Sequence, residues 1–423
     1  MNSQSNVIKI LVEISRFIVG ATFVFSGFVK AVDPLGFTYK MQDYLINFNL
    51  TELFLLALPA AIFFVVAEFA LGMLLLLGVY RKWTTILVGV MMAFFTPLTL
   101  WIALKNPVAD CGCFGDALII SNWQTFYKNI VLSVGTILLI MKWRWITPLF
   151  SLKTAPLVAV FTVAFGIVFS VYNVYKLPVF DFRPYKIGAN IPNNMFVDPA
   201  EADVLESVLI YSKDGIEKEF TEDNFPWDDS TWVFVDMKTR MVKEGVKPKI
   251  EDFNIESVYF DESANLWHTG GDITDLLLSD PGYAFWMVAY SLQDMNEKHL
   301  TRFKNAQNYA RQHNYPFYCL TSSSLEEVEM WEKQHNTDFQ FTHADERILK
   351  TIIRSNPGLL LVKEGTVINK WDDSRVPAFG EAPLNESNHA NPPESKTRTA
   401  TSLLLIVLLF FIPLGLIAWY DKK

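Results

Sequence analysis

The chain has 423 residues, room for two or three domains, with 51% hydrophobic and 14% aromatic residues and a mean hydropathy of +0.21. Those values are too high for a wholly soluble protein. The formal net charge of −9 divides unevenly: residues 176–398 carry 23 basic and 37 acidic residues, a net of −14, and the remainder carries +5. An acidic soluble domain argues against nucleic acid as a partner, because phosphate binding needs basic patches.

Six stretches are long and apolar enough to span a bilayer, which takes about twenty residues each: 8–31, 52–79, 84–104, 125–141, 154–175 and 400–419. The first is too long for a cleaved signal peptide, contains Arg16 and shows no small-residue cleavage site. Lys30 lies near its outer end, and Glu68 lies in the middle of the second stretch. A charge at that depth costs a few kcal/mol and is usually paired toward the bundle interior. Arg16 and Glu68 are therefore expected to pair. The pair either fixes helix register or lines a quinone or proton path, which makes these two the candidate cofactor-binding residues and a membrane quinone the candidate cofactor. Gly20, Gly27 and Gly72 allow close helix approach. Basic residues mark cytoplasmic loops. Arg81, Lys82, Lys142, Arg144, Lys153 and the terminal "YDKK" fall on one side only if both termini are cytoplasmic. The loop at 105–124 and all of 176–398 then face the periplasm, an oxidising compartment in which disulfides persist.

That loop reads "NPVADCGCFGDALI" over 106–119, with Cys111 and Cys113 one glycine apart and Cys319 as the only other cysteine. A disulfide between them closes a very small ring. It departs from relaxed geometry, in which Cα atoms lie about 5.5–6 Å apart, and strain with exposure makes a bond labile and oxidising. Gly112 supplies backbone freedom. "SNWQ" at 121–124 offers a capping box with Ser121 as N-cap and Gln124 at N3, and the helix N-terminus that follows favours a thiolate. The pair reads as a redox-active dithiol, and Cys111 and Cys113 are the candidate catalytic residues. The alternatives are a static bridge, which constrains little unfolded-state entropy in so small a ring, and lipidated or untouched thiols. Two thiolates without a nearby histidine do not complete a zinc site.

The patterns "RFIVG…FSG..K..DP" and "AE..LG..LL.G" resemble the DoxX family of four-helix membrane proteins, and the "DCGCFGD" loop looks like its MauE branch. The resemblance covers about 8–145. It implies a four-helix bundle over 1–145 and a part in maturing disulfide-containing periplasmic proteins. A fifth helix (146–175), a large outer region and a sixth helix depart from that family.

Residues 176–198 read as an extended, proline-containing approach. "ESVLIYSKDGIEKEF" reads as a hairpin turned at Asp214–Gly215, and "STWVFVDMKTRMVKEG" as another, giving a β-rich module over 176–281. From 282 to 378 strands alternate with amphipathic helices, which implies a mainly parallel sheet with an antiparallel hairpin at its edge. This order resembles the thioredoxin-like fold of membrane-tethered thiol reductases. Asn356–Pro357, just ahead of the strand "GLLLV", occupies the place of that family's cis-proline. The place of its Cys-x-x-Cys reads "SLQDMNEKH" at 291–299, so this domain cannot perform dithiol exchange by the family mechanism. Cys319 reads as a buried core residue. His299, His313 and His335 read as solvated. Residues 379–399 read as a flexible linker to a C-terminal transmembrane helix and cytoplasmic tail at 400–423.

The fold expected is an α-helical membrane bundle with an α/β outer domain. The function expected is that of an inner-membrane thiol–disulfide component. It would act on periplasmic or secreted protein thiols, or on a thiol redox protein, and its outer domain would dock the partner. The competing reading is a non-catalytic scaffold with a structural cysteine pair.

Overall fold

Why α1 (Ser3–Val32) packs where it does follows from its glycines. A Cβ on Gly27 would sit 2.4 Å from the backbone nitrogen of Phe69, and one on Gly20 would meet Leu76, both on α3 (Phe54–Leu77). Small residues let two helix backbones close to this distance. Residue 16 meets 75 and 76, residue 20 meets 72 and 76, and residue 30 meets 68, so the two helices run antiparallel. In this computed structural model the described residues are 3–108, 111–243, 245–261, 263, 266–385 and 395–423, excluding the side chains of 3–5, 204, 205 and 395–398.

Between α1 and α3 lies α2 (Pro34–Asn47), which the hydropathy pattern did not reveal. Asp33 caps it, accepting from the Gly36 N–H at 2.9 Å, and Pro34 opens the first turn. The bundle continues with α4 (Arg81–Lys105) and α5 (Asn122–Met141), which pack on each other. Next come α6 (Ala155–Tyr175), on α3, and α12 (Ser395–Asp421), on α6. Five stretches among the described residues are long and apolar enough to cross a membrane: Thr51–Leu77, Arg81–Lys105, Asn122–Met141, Ala155–Tyr175 and Thr399–Asp421. The first expected span falls on α1, which is not among the five. It carries Lys9, Glu13, Arg16 and Lys30, yet it lies along α3 through most of that helix. Arg81, Arg144, Glu13 and Asp421 gather at one end of the bundle. There Arg81 donates to the Ile146 carbonyl, and Asp421 accepts from Ser151 and Thr154 at the start of α6.

Among the described residues, 176–385 hold two sheets. β1 (Val204–Lys213), β2 (Ile216–Thr221) and β3 (Val233–Lys243) form an antiparallel sheet of order β2-β1-β3. The β1–β2 turn is at Asp214–Gly215, both with positive φ. The second expected hairpin is instead the single eleven-residue strand β3: nothing between Asp236 and Arg240 supplies turn chemistry.

The second sheet has seven strands in the order β10-β9-β6-β7-β8-β4-β5. They are β4 (Ile255–Asp261), β5 (Leu266–Asp272), β6 (Tyr283–Val288), β7 (Phe317–Thr321), β8 (Gln340–Ala344), β9 (Gly358–Lys363) and β10 (Thr366–Asp372). β6, β7 and β8 are parallel, and β9 and β10 form the antiparallel edge hairpin. The expected boundary at 281/282 cuts this sheet, because β4 pairs with β8 and brings β5 with it. The segment 176–198 is folded rather than extended. Tyr185 and Ile191 are buried, the Gly188 N–H donates to the Val367 carbonyl, and α7 (Ile191–Met195) follows.

Helices cover both sheet faces, which is why β6 reads as a continuous apolar run. Phe285 and Met287 pack with α9 (Leu300–Gln312) and α10 (Leu325–His335). Trp286 and Val288 pack with α8 (Thr274–Ser279) and α11 (Glu346–Ile352). Cys319 is fully buried in the first of these clusters, and burial pushes its thiol pKa up. The three histidines expected to be solvated are half-buried: His299 pairs with Asp373 at 2.9 Å, and His335 stacks on Trp331 and meets Glu297 at 3.1 Å. His313 packs on Tyr309. The expected linker starts later than 379, since Phe379 stacks on Tyr309 and Leu384 is buried. Its remaining part, 386–394, lies outside the described residues.

Candidate functional site

The loop between α4 and α5 is built by its two ends. Asn106 closes α4 at φ +48°, and Ser121 opens α5 with the capping box complete on both sides. The Asn122 side-chain amide ties the ends together, donating to Asn106 Oδ1 at 2.7 Å and to the Val108 carbonyl at 3.1 Å. Ala109 and Asp110 lie outside the described residues. Gly112 has φ +68°, and the Gly115 N–H donates to its carbonyl at 3.1 Å, so the chain turns tightly around Cys113.

Cys111 and Cys113 are unbridged thiols, both half-buried, with sulfurs 3.2 Å apart. Two hydroxyls from the bundle hold their backbones: Tyr44 OH donates to the Cys111 carbonyl at 3.1 Å, and Ser26 Oγ to the Cys113 carbonyl at 2.6 Å. The hydrogen bond from the Cys111 thiol draws the Cys113 pKa down to about 6 against the opposing effect of burial, with the Lys128 and Lys30 ammonium groups assisting. Cys111 moves up for the reciprocal reason, because it holds the shared proton. A thiolate beside a thiol within van der Waals reach is the arrangement that thiol–disulfide exchange uses.

The expected Arg16–Glu68 pair does not form. Arg16 binds Glu13 at 2.9 Å and donates to the carbonyls of Leu75 and Leu76, whereas Glu68 pairs with Lys30 at 2.8 Å. The antiparallel register explains this: fourteen residues separate Arg16 from Lys30, about 21 Å along the helix. Lys30 also donates to Ser26 Oγ at 3.0 Å, so the buried ion pair lies beneath the cysteine loop.

Above the loop sits the outer domain. Arg354, in the segment joining α11 to β9, binds both carboxylate oxygens of Asp33 at 2.9–3.0 Å and lies 3.8 Å from Asp116 in the loop. Burial would raise the Asp33 pKa, but Arg354, with Arg183 behind it, overrides that and holds the carboxyl below its ordinary value. Arg354 and Lys350 cover the Tyr39 ring of α2, and Arg347 reaches Asp43. The Asn356–Pro357 bond is cis, and Asn356 donates to the Ser291 carbonyl at 2.7 Å. The end of the sheet that carries Pro357 and the cysteine-free segment 291–299 is thus the end placed on α2 and the cysteine loop. Sequence reasoning missed Lys30, Tyr44, Asp33 and Arg354 as parts of this site. Only Asp33–Pro34, an N-cap followed by a first-turn proline, carried a local signal.

Residues 8–142 match the family described as methylamine utilisation protein MauE. Residues 205–244, which hold β1 to β3, match a domain of unknown function, DUF8463. No curated protein and no solved structure matches the chain.

Proposed function

We propose that the protein is a membrane thiol–disulfide component in which Cys111 and Cys113 cycle between dithiol and disulfide. The observation that carries this reading is the pair itself: two unbridged sulfurs 3.2 Å apart, one shifted toward thiolate. In the oxidised form a client thiolate attacks one sulfur, the Cys111–Cys113 bond breaks, and a mixed disulfide forms. A second client thiolate attacks that bridge, leaving a client disulfide and two protein thiols. The clients are periplasmic or secreted protein thiols, or a thiol redox protein, reached on the outer side of an inner membrane with both termini cytoplasmic. A disulfide of a redox partner, or a membrane quinone, regenerates the pair by taking two electrons and two protons. Arg16 and Glu68 do not meet, so no quinone site is assigned to them.

The strand order β8-β7-β6-β9-β10 supports a thioredoxin-like reading of the outer domain without its Cys-x-x-Cys. On that reading, the end of the sheet near Pro357 and 291–299 would be the end a thioredoxin uses, and its nearness to the cysteine loop supports an adaptor role for the domain. Acid-quenching growing cells, labelling free thiols with a large maleimide and resolving the protein on a gel tests the proposal. Both forms of the wild type are expected, with loss of client oxidation in Cys111→Ser and Cys113→Ser. A pair locked in one form, with both variants working normally, would leave a scaffold.

A further inference from the structure

The Lys30–Glu68 ion pair is unexplained by packing alone. The side chains are 6% exposed on Lys30 and 12% on Glu68, and burying charges inside a helix bundle is costly even when they are paired. The Lys30 ammonium reaches three places. It meets Glu68 Oε2 at 2.8 Å and Ser26 Oγ at 3.0 Å, and it lies 5.1 Å from the centre of the Phe37 ring. Ser26 passes the contact on to the Cys113 carbonyl. Ser26 and Lys30 are one helical turn apart on α1, so a single helix face presents both the hydroxyl that holds the loop and the cation beneath it.

We propose that Lys30 is a positioning residue for the dithiol: its ammonium fixes Cys113 through Ser26 and compensates the thiolate charge there, while Glu68 limits that compensation. This rests on the redox reading of the pair. A thiolate at the edge of an apolar bundle needs a nearby cation, as any buried charge does. Among the described residues, the charged and titratable groups acting on the two cysteines are Lys30 of α1, Tyr44 of α2, Glu68 of α3 and Lys128 of α5, with Asp116 further along the loop and Arg354 behind it. Lys30 is joined to Cys113 by a hydrogen-bonded chain through Ser26, whereas Lys128 lies over the Phe114 ring at 4.4 Å.

The two members of the ion pair then have opposite signatures. In reduced full-length protein in lipid nanodiscs, the pH dependence of iodoacetamide alkylation at the 111–113 peptide, read by mass spectrometry, gives the thiol midpoint. Lys30→Met is expected to raise the midpoint by about one unit, slowing alkylation about twofold at pH 7 and up to about tenfold below pH 6. Glu68→Gln is expected to lower the midpoint, and Lys30→Arg to restore most of the wild-type value. An ion pair that only holds helices together would shift both variants the same way or neither, and that result overturns the proposal. Should Lys30→Met fail to insert, Glu68→Gln and Lys30→Arg still decide it. The midpoint needs no client, so a pair that never cycles in cells would refute the redox reading while leaving this measurement intact.

Discussion

Replacing Arg354 with Gln removes the cation that fastens the outer domain to the bundle. The Arg354 side chain is 6% exposed and that of Asp33 18%, so the pair is largely desolvated. Breaking a buried pair by deleting one partner costs about 3–5 kcal/mol, because the remaining charge loses its compensation. Asp33 keeps some contact with water and its bond from the Gly36 N–H, which favours the lower end, about 3 kcal/mol. At about 1.4 kcal/mol per factor of ten, the docked state loses a little over a hundredfold against the undocked one. Hydrogen exchange of the full-length protein reads this directly. Amides of α2 and of 111–117 should exchange faster in Arg354→Gln, while β6 and β9 stay protected. Asp33→Asn should act in the same direction, and the double variant should lose less than the sum of the two. Because the folded pKa of Asp33 is depressed, its contribution is complete above the ordinary carboxylate value, near 4. It is lost only as the pH falls through the lowered value, so docking should be constant from about pH 5 to 8. Unchanged exchange at α2 and 111–117 in Arg354→Gln would show that the domain does not rest on the loop.

Cys113, drawn down to about 6, is expected to react with iodoacetamide at pH 7 ahead of Cys319, whose burial keeps it protonated, and its labelling should fall off below about pH 6; equal labelling of both in the native protein would contradict this. Phe303→Ala, at a fully buried position between α9 and the sheet, should cost the outer domain about 3–5 kcal/mol in thermal or denaturant unfolding. Reporters inserted at Gly215 are expected to lie on the opposite side of the membrane from reporters placed after Lys82 and Lys423; a shared side for all three would end the orientation argument.

Local signals carried much of this architecture. The apolar runs located five membrane-length helices, the Ser121–Gln124 spacing announced the cap of α5, and the alternation after residue 282 announced the parallel core. What stayed hidden was set by long-range register. Glu68 could be paired only by knowing that α1 runs antiparallel to α3 with residue 30, not 16, at its level. Arg354 and Asp33 stand 321 positions apart, and no local pattern links them. Strand β4 joins the large sheet by pairing with β8, nearly ninety residues downstream in sequence, through an edge whose alternation looks like that of the preceding module. Helix α2 escaped because it is amphipathic and half-buried: hydropathy averages it away, although its N-cap was written plainly at Asp33.

The antiparallel seating of α12 on α6 has a consequence for how such a chain can be assembled. Phe410 packs on Phe161 and Phe165, while Asp421 reaches Ser151 and Thr154 at the opposite end of the same pair. The chain therefore departs from α6 and returns into α12 at one face, with the two points about one helix spacing apart, 8–10 Å. Everything between is a detour with its ends side by side. A detour of that kind can be lengthened, shortened or exchanged for another cassette without rearranging the helices beneath it, and a short splice from residue 175 to 400 would keep α1 to α6 and α12.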